Sequence, residues 1–452
     1  MATINIGRKD IIWNYVATFL LLGSGIILLP FILRVFPQET VGVWNIFATI
    51  IALTALLDFG FNASFARNVS YVMSGVKELK PIGFQTVETE KTEIDYSLLK
   101  GLINAMRWFY ARVAIVLFVL LTTLGTLYIH TILKDYSGNR NEVYISWAIL
   151  CIINSFSLYT FYYDALLQGK GLVKRAKQIQ VVGQLTYLFV AIGLIYFQFN
   201  LIAIVSAQAL SVIIRRILSH KTIYTARFKD LLHNVKAQSK KEVLKPIYQN
   251  AMKLGVVNIS NFLALRSPIL IGAVFLSLNE IASYGITIQI INIIAAVAVV
   301  HFSTFLPKIA QHRIHDETLA IKKKYVTSWL FMVFTFLAGG LFFIFFGDHA
   351  LLLINSQTPL LPRTLIVIAL VAAWLDYNRG MAEWILASKN NIPFFRASLF
   401  TGGLSVVLLV LTLKYTDLGV LGLIIAPAIA QVCYHNWKWP LEVAKELKIL
   451  KR

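Results

Sequence analysis

About twelve apolar runs, each near the length that crosses a lipid bilayer, leave this chain few folds to choose from. A helix rises about 1.5 Å per residue, so a hydrocarbon core of about 30 Å takes some 20 residues. Within lipid, every backbone polar group must find its partner inside the protein, which makes such runs helices. They fall near 11–34, 41–63, 109–133, 143–167, 178–197, 199–218, 251–276, 280–307, 325–347, 364–388, 394–413 and 418–437. The first run lacks a small-residue cleavage site and reads as a span, not a removable signal. Composition agrees: 58% of the 452 residues are hydrophobic and 14% charged, against about 25% charged in soluble proteins. The expected fold class is an all-α integral membrane protein with about twelve transmembrane helices.

The chain carries 42 Lys+Arg against 22 Asp+Glu, a formal charge of +20. The basic residues sit between apolar runs, so the excess reads as membrane topology and attraction to anionic inner-leaflet lipids, with no nucleic acid implied. With the N-terminus placed in the cytoplasm, only Arg34, Lys134, Arg140, Arg363 and Lys414 fall outside. Arg266 and Arg379 lie within spans and Lys253 at the start of one. Every other Lys or Arg lies on the cytoplasmic side, an asymmetry that calls for an even number of spans and both termini inside. Trp13, Trp108, Trp329, Trp437 and Trp439 near inner ends, with Trp44 and Trp147 near outer ends, form an interfacial belt.

The loops divide the chain into an N-terminal six-helix lobe at 1–218, a basic cytoplasmic linker at 219–250, a C-terminal lobe at 251–437 and a basic tail at 438–452. In the tail, Leu441, Ala444 and Leu447 beside Lys445, Lys448, Lys451 and Arg452 predict a short helix lying on the inner leaflet. Two matches relate the halves. Phe36–Trp44 pairs with Leu276–Tyr284, and Tyr163–Lys170 with Ala382–Lys389; each puts an acid ahead of small or aromatic residues in a similar register. The pattern favours two related bundles, a common transporter plan.

A charge at the bilayer centre costs about 2.5–3.5 kcal/mol on insertion scales, so it marks a candidate site. Arg266, about ten residues from the outer end of its span, lies near the midplane, where a guanidinium can hold a phosphate bidentately or pair with an acid on another span. Asp376, Arg379 and Glu383 share one helix face; they read as a ladder that partly neutralises itself, or as a coupling-ion site. Asp58 reads as a helix cap or a coupling acid. Tyr159 and Tyr163, next to Asp164, read as an interfacial belt or as sugar-stacking aromatics. Recurrent Asn, Gln and His residues within spans, His435 among them, read as interhelical hydrogen bonds. Cys151 and Cys433 read as small buried apolar residues. No glycine-rich phosphate loop, H-E-x-x-H or Cys/His metal spacing occurs, so no enzyme activity, metal or cofactor is expected.

Leu29–Phe36, Val41–Trp44, Leu57–Phe61 with Arg67, and Leu166–Val173 resemble the polysaccharide and O-antigen flippases of the multidrug/oligosaccharidyl-lipid/polysaccharide (MOP) exporter superfamily. The resemblance implies a V-shaped pair of pseudo-symmetric six-helix lobes around a central cavity, in a bacterial inner membrane. It implies alternating access that moves an undecaprenyl-diphosphate-linked oligosaccharide, a repeat unit of O-antigen, capsule or exopolysaccharide, from inner to outer leaflet. It also implies a monomer working beside a glycan polymerase and a chain-length regulator. On this reading Arg266, Lys253 and Arg379 meet the diphosphate, Tyr159 and Tyr163 the sugar, and Asp376, Glu383, Asp58 and Asp164 serve coupling or ion pairing. The family often places Asp two residues after the seventh-span arginine; here Pro268 stands there. A multidrug/cation antiporter would want a net acidic cavity. A membrane-embedded glycan polymerase or ligase would want a large outer loop, which the chain lacks.

Overall fold

The computed structural model describes residues 8–76, 94–239, 243–244, 255–256, 258–314, 317–388 and 393–449, and every regular element among them is helical. The helices are α1 (Arg8–Val35), α2 (Gln38–Leu56), α3 (Phe61–Met73), α4 (Tyr96–Leu120), α5 (Thr126–Ile132), α6 (Arg140–Tyr159), α7 (Tyr162–Gly169), α8 (Val173–Tyr196), α9 (Asn200–Ile223) and α10 (Ala226–His233). There follow α11 (Asn258–Leu265), α12 (Ser267–Phe275), α13 (Leu278–Ile314), α14 (Thr318–Leu353), α15 (Arg363–Ala387), α16 (Phe395–Tyr415), α17 (Val420–Val432) and α18 (His435–Glu446). Among the described residues eight helices are long and apolar enough to cross a membrane, and ten if each of two bent pairs is one crossing. With α1 and α2, this is the expected set of about twelve.

Helix starts follow local chemistry. Asp95 accepts from Leu98 N at the head of α4, and Asn139 accepts from Asn141 N and Glu142 N at the head of α6. Glu142 also accepts from Leu201 N, at 2.9 Å, and so caps α9. Ser277 and Glu280 form a reciprocal capping box before α13. The acid that the repeat comparison singled out there is a cap.

Four expected spans are interrupted. The second ends at Leu56, short of 63; the chain turns through Phe59 (φ 49°) and Gly60 (φ 72°) before α3, a left-handed step that Gly60 makes cheaply. The fourth breaks between α6 and α7. The seventh bends by 41° between α11 and α12, at Arg266, where Pro268 can supply no backbone N–H to the helix ladder. The twelfth bends by 40° between α17 and α18. α18 thus takes in most of the expected tail helix, and it buries Trp439 and Val443, with Leu447 just beyond its end, while Leu441 is exposed. Ala444, the third apolar residue of the tail pattern, is half-buried. Cys151 is buried as expected, but Cys433 is exposed at the α17–α18 bend.

Contacts group the chain into two compact units, Met1–Phe36 with Ile50–Val256 and Pro37–Thr49 with Val257–Arg452. In the first, α8 packs on α9 and α1, α3 on α7, and α6 on α4 and α9. In the second, α13 packs on α14 and α15, α16 on α17 and α12, and α15 on α18. The first part of α2 packs in the second unit against α13. Gln38 Nε2 donates to Asn279 O at 3.1 Å and to Ser283 Oγ at 3.3 Å. The Cα of Gly42 lies so close to Leu278 that any Cβ there would overlap the Leu278 carbonyl. Gly42→Val should therefore cost about 1–3 kcal/mol by overpacking, read as a lowered melting midpoint of the detergent-purified protein; an unchanged midpoint would show that this crossing is slack.

Candidate functional site

Intramembrane charge gathers in two places in the second unit and two in the first. On α15, Arg379 is 5% exposed. Its Nε and Nη2 both donate to Asp376 Oδ1, the former at 3.1 Å, and its Nη1 donates to Glu383 Oε1 at 2.6 Å. The i, i+3 and i, i+4 spacings bring both carboxylates onto one guanidinium. A fourth member comes from α18: His435, 2% exposed, places Nε2 2.6 Å from Glu383 Oε1 and Nδ1 3.4 Å from Thr401 Oγ1. The Thr401 hydroxyl donates to Ala397 O at 2.8 Å, so towards His435 it accepts. Glu383 accepts on the other side, so the His435 ring lies between a carboxylate and a hydroxyl. The sequence showed the α15 ladder; it placed His435 only among generic polar residues, because its partnership arises from the bend that starts α18.

Arg266 stands differently. It occupies the break before α12, its side chain is exposed, and it has no ion-pair or hydrogen-bond partner among the described residues. Its guanidinium lies within electrostatic reach of the hydroxyls of Tyr284 on α13 and Tyr377 on α15. Tyr377 donates to Asn292 Oδ1 at 3.4 Å. An uncommitted guanidinium beside phenols and an amide can take an anion with hydroxyls around it. Lys253, the expected companion of Arg266, lies outside the described residues.

In the first unit, Asp58 is 8% exposed. It accepts from Tyr110 Oη at 2.5 Å and from Asn62 N at 3.0 Å, capping α3 and tying it to α4. Asn62 Nδ2 donates to Phe161 O at 3.0 Å. Asp164 on α7 pairs with Arg216 on α9 at 2.9 Å, and Arg216 Nη2 reaches Ser157 O at 3.4 Å. Tyr163 is buried, with its hydroxyl 3.1 Å from His220 Nδ1. Tyr159 is half-buried, its ring 6.3 Å from that of Tyr162. Tyr110, Arg216 and His220 were absent from the sequence reading, since nothing in their spacing tells which acid or phenol the fold will bring to them.

No family model matches the chain, and no curated protein does. Solved structures do. A multidrug resistance MATE family transporter of the MOP superfamily, in its inward-facing conformation, aligns with a TM-score of 0.65 at 14% identity, covering 96% of each chain. The lipid II flippase MurJ, in an inward closed conformation, aligns with a TM-score of 0.60 at 14% identity, over 97% of this chain and 87% of that one. The chain has the fold of the MOP-superfamily transporters. An outward-facing MATE transporter of the MOP superfamily matches as well, with a TM-score of 0.56 at 15% identity over 98% and 95% of the two chains. The MOP fold agrees with the expected two-lobe, all-helical class and with a multi-pass membrane protein. Within it, Arg266 is left without a partner among the described residues and the α15 acids are not.

Proposed function

We propose that the protein is a flippase that carries an undecaprenyl-diphosphate-linked oligosaccharide from the inner to the outer leaflet of a bacterial cytoplasmic membrane by alternating access. The observation that carries this reading is the contrast within the second unit. Among the described residues Arg266 is an uncommitted cation at an apolar-helix break, whereas Asp376 is bound to Arg379, and Glu383 to both Arg379 and His435. A cargo for such a site is an anion with hydroxyls, and a diphosphate joined to sugar has both. The polyprenyl tail needs no polar site and stays in lipid. A cationic drug would require a free carboxylate, and those of α15 are occupied. The MOP fold supports either cargo, since its neighbours include a multidrug transporter and a lipid II flippase. The flippase reading keeps both termini in the cytoplasm, and a glycan polymerase and chain-length regulator as partners on the outer side.

The test is reconstitution. Proteoliposomes with a fluorescent undecaprenyl-diphosphate oligosaccharide in the inner leaflet should expose it to an outer-leaflet quencher in a protein-dependent way. Proteoliposomes loaded with an organic cation should release it no faster than empty ones. Cation release without lipid movement would replace this reading with the antiporter one.

A further inference from the structure

A second cationic place lies in the first unit, where α4, α7, α9 and α10 meet. Its floor is aromatic. Tyr162 and Tyr163 are buried with ring centroids 4.4 Å apart. Tyr224, just past α9, lies 6.4 Å from Tyr163 and 4.9 Å from His220. Phe228 on α10 lies 6.1 Å from Tyr224. The rim is less covered: Arg107 and His220 are exposed, and Tyr159, Tyr224 and Lys170 half-buried. The Arg107 guanidinium sits beside the Tyr159 hydroxyl and within electrostatic reach of Tyr162 and Tyr224. Lys170 Nζ lies 3.5 Å above the Phe228 ring and 3.5 Å from Ile223 O.

The charge balance of this place is one-sided. Asp164 is held by Arg216. Asp230, on α10, is two residues from Phe228 and so faces away from the ring that Lys170 covers. Neither Arg107 nor Lys170 has a carboxylate partner among the described residues. Burial pushes the Lys170 ammonium down to about 8, a strain that a bound anion would relieve. An ordinary interfacial belt explains tyrosines near a membrane surface. It does not explain two cations that have no carboxylate partner among the described residues, set beside a cluster of tyrosines and Phe228.

We propose that Arg107, Lys170, His220, Tyr159 and Tyr224 form a binding site for a sugar diphosphate, with the cations on the phosphates and the phenol rings against the sugar. Arginine offers a planar fork to a phosphate, lysine a point charge. The positive-inside reading puts this end of the unit on the cytoplasmic side, where a lipid-linked sugar would arrive before translocation. The site thus deepens the flippase reading and names a loading step in it. Its chemistry needs only the head group, which a lipid or a nucleotide can equally carry.

Equilibrium binding separates this site from Arg266. Full-length Arg266→Ala protein in nanodiscs is titrated with two probes, an undecaprenyl-diphosphate sugar in the disc and a free nucleoside-diphosphate sugar. Binding of the lipid-linked probe should persist in that background and weaken tenfold or more when Arg107→Gln and Lys170→Gln are added. Weakening of both probes assigns the site to the head group from either source; weakening of the lipid-linked probe alone assigns it to the lipid. Tyr224→Ala, with an unchanged size-exclusion profile, should weaken binding without removing charge. Unchanged binding in the Arg107→Gln/Lys170→Gln protein, or no binding in the Arg266→Ala background, would overturn the site while leaving the transport assay of the flippase reading untouched.

Discussion

Arg379→Ala is expected to leave little folded protein in the membrane. The side chain is 5% exposed and stands between two carboxylates, themselves largely buried. Removing one partner from a buried ion pair costs about 3–5 kcal/mol, because it strands the opposite charge. Here it strands two, with His435 alone to face them. Native stability is typically about 5–15 kcal/mol, so the loss takes a large share of it. Fluorescence-detected size exclusion should show a collapsed monodisperse peak, and any surviving fraction a sharply lower melting midpoint. Arg379→Lys keeps the charge but not the fork, and should recover part of the peak. The triple change Asp376→Asn, Arg379→Met, Glu383→Gln removes all three charges together and should be better tolerated than Arg379→Ala alone. A wild-type peak and midpoint in Arg379→Ala would mean that the cluster does not hold α15 to α18.

That cluster also shows how far the residues alone could be read. Apolar runs determine the crossings, because insertion follows from transfer free energies that act on each segment separately. The α15 ladder was legible for the same reason: its members are three and four residues apart on one helix. Its completion by His435 was not, since that contact depends on the 40° bend at the start of α18 and on α18 packing across α15. The tail illustrates the same limit. Its apolar residues predicted a helix, and the helix forms, but that neighbouring helices cover Trp439 and Val443 follows from packing that the local pattern does not carry. Asp58 was read either as a cap or as a coupling acid. Its bonds to Asn62 N and Tyr110 occupy it structurally, and Tyr110, 52 positions away, left no trace in the local pattern. Residues 37–49 packing on α13 were equally hidden, although the repeat pairing of Phe36–Trp44 with Leu276–Tyr284 involves the stretches that meet there.

Arg266→Ala should have the opposite profile, with folding kept and transport lost. No carboxylate is stranded by its removal, since none among the described residues binds it. Taking a charge out of an apolar span is favourable by about 2.5–3.5 kcal/mol on insertion scales, so abundance and melting midpoint should hold or rise. Under the proposed flippase function, the transport effect runs the other way. A charge-assisted hydrogen bond contributes about 1.5–3 kcal/mol, and a bidentate guanidinium–phosphate contact makes two. Losing a contact of about 3 kcal/mol weakens cargo binding at Arg266 itself roughly a hundredfold, while binding at the cytoplasmic-side site persists. Flipping of the lipid-linked oligosaccharide should fall to near the background of protein-free liposomes, and surface glycan should vanish from cells that depend on this gene. Arg266→Lys should be intermediate, retaining the charge without the fork. If Arg266→Ala cells display normal surface glycan at normal protein abundance, the unpartnered arginine is not the diphosphate contact. The distinction between the two arginines then has to be sought in helix insertion alone.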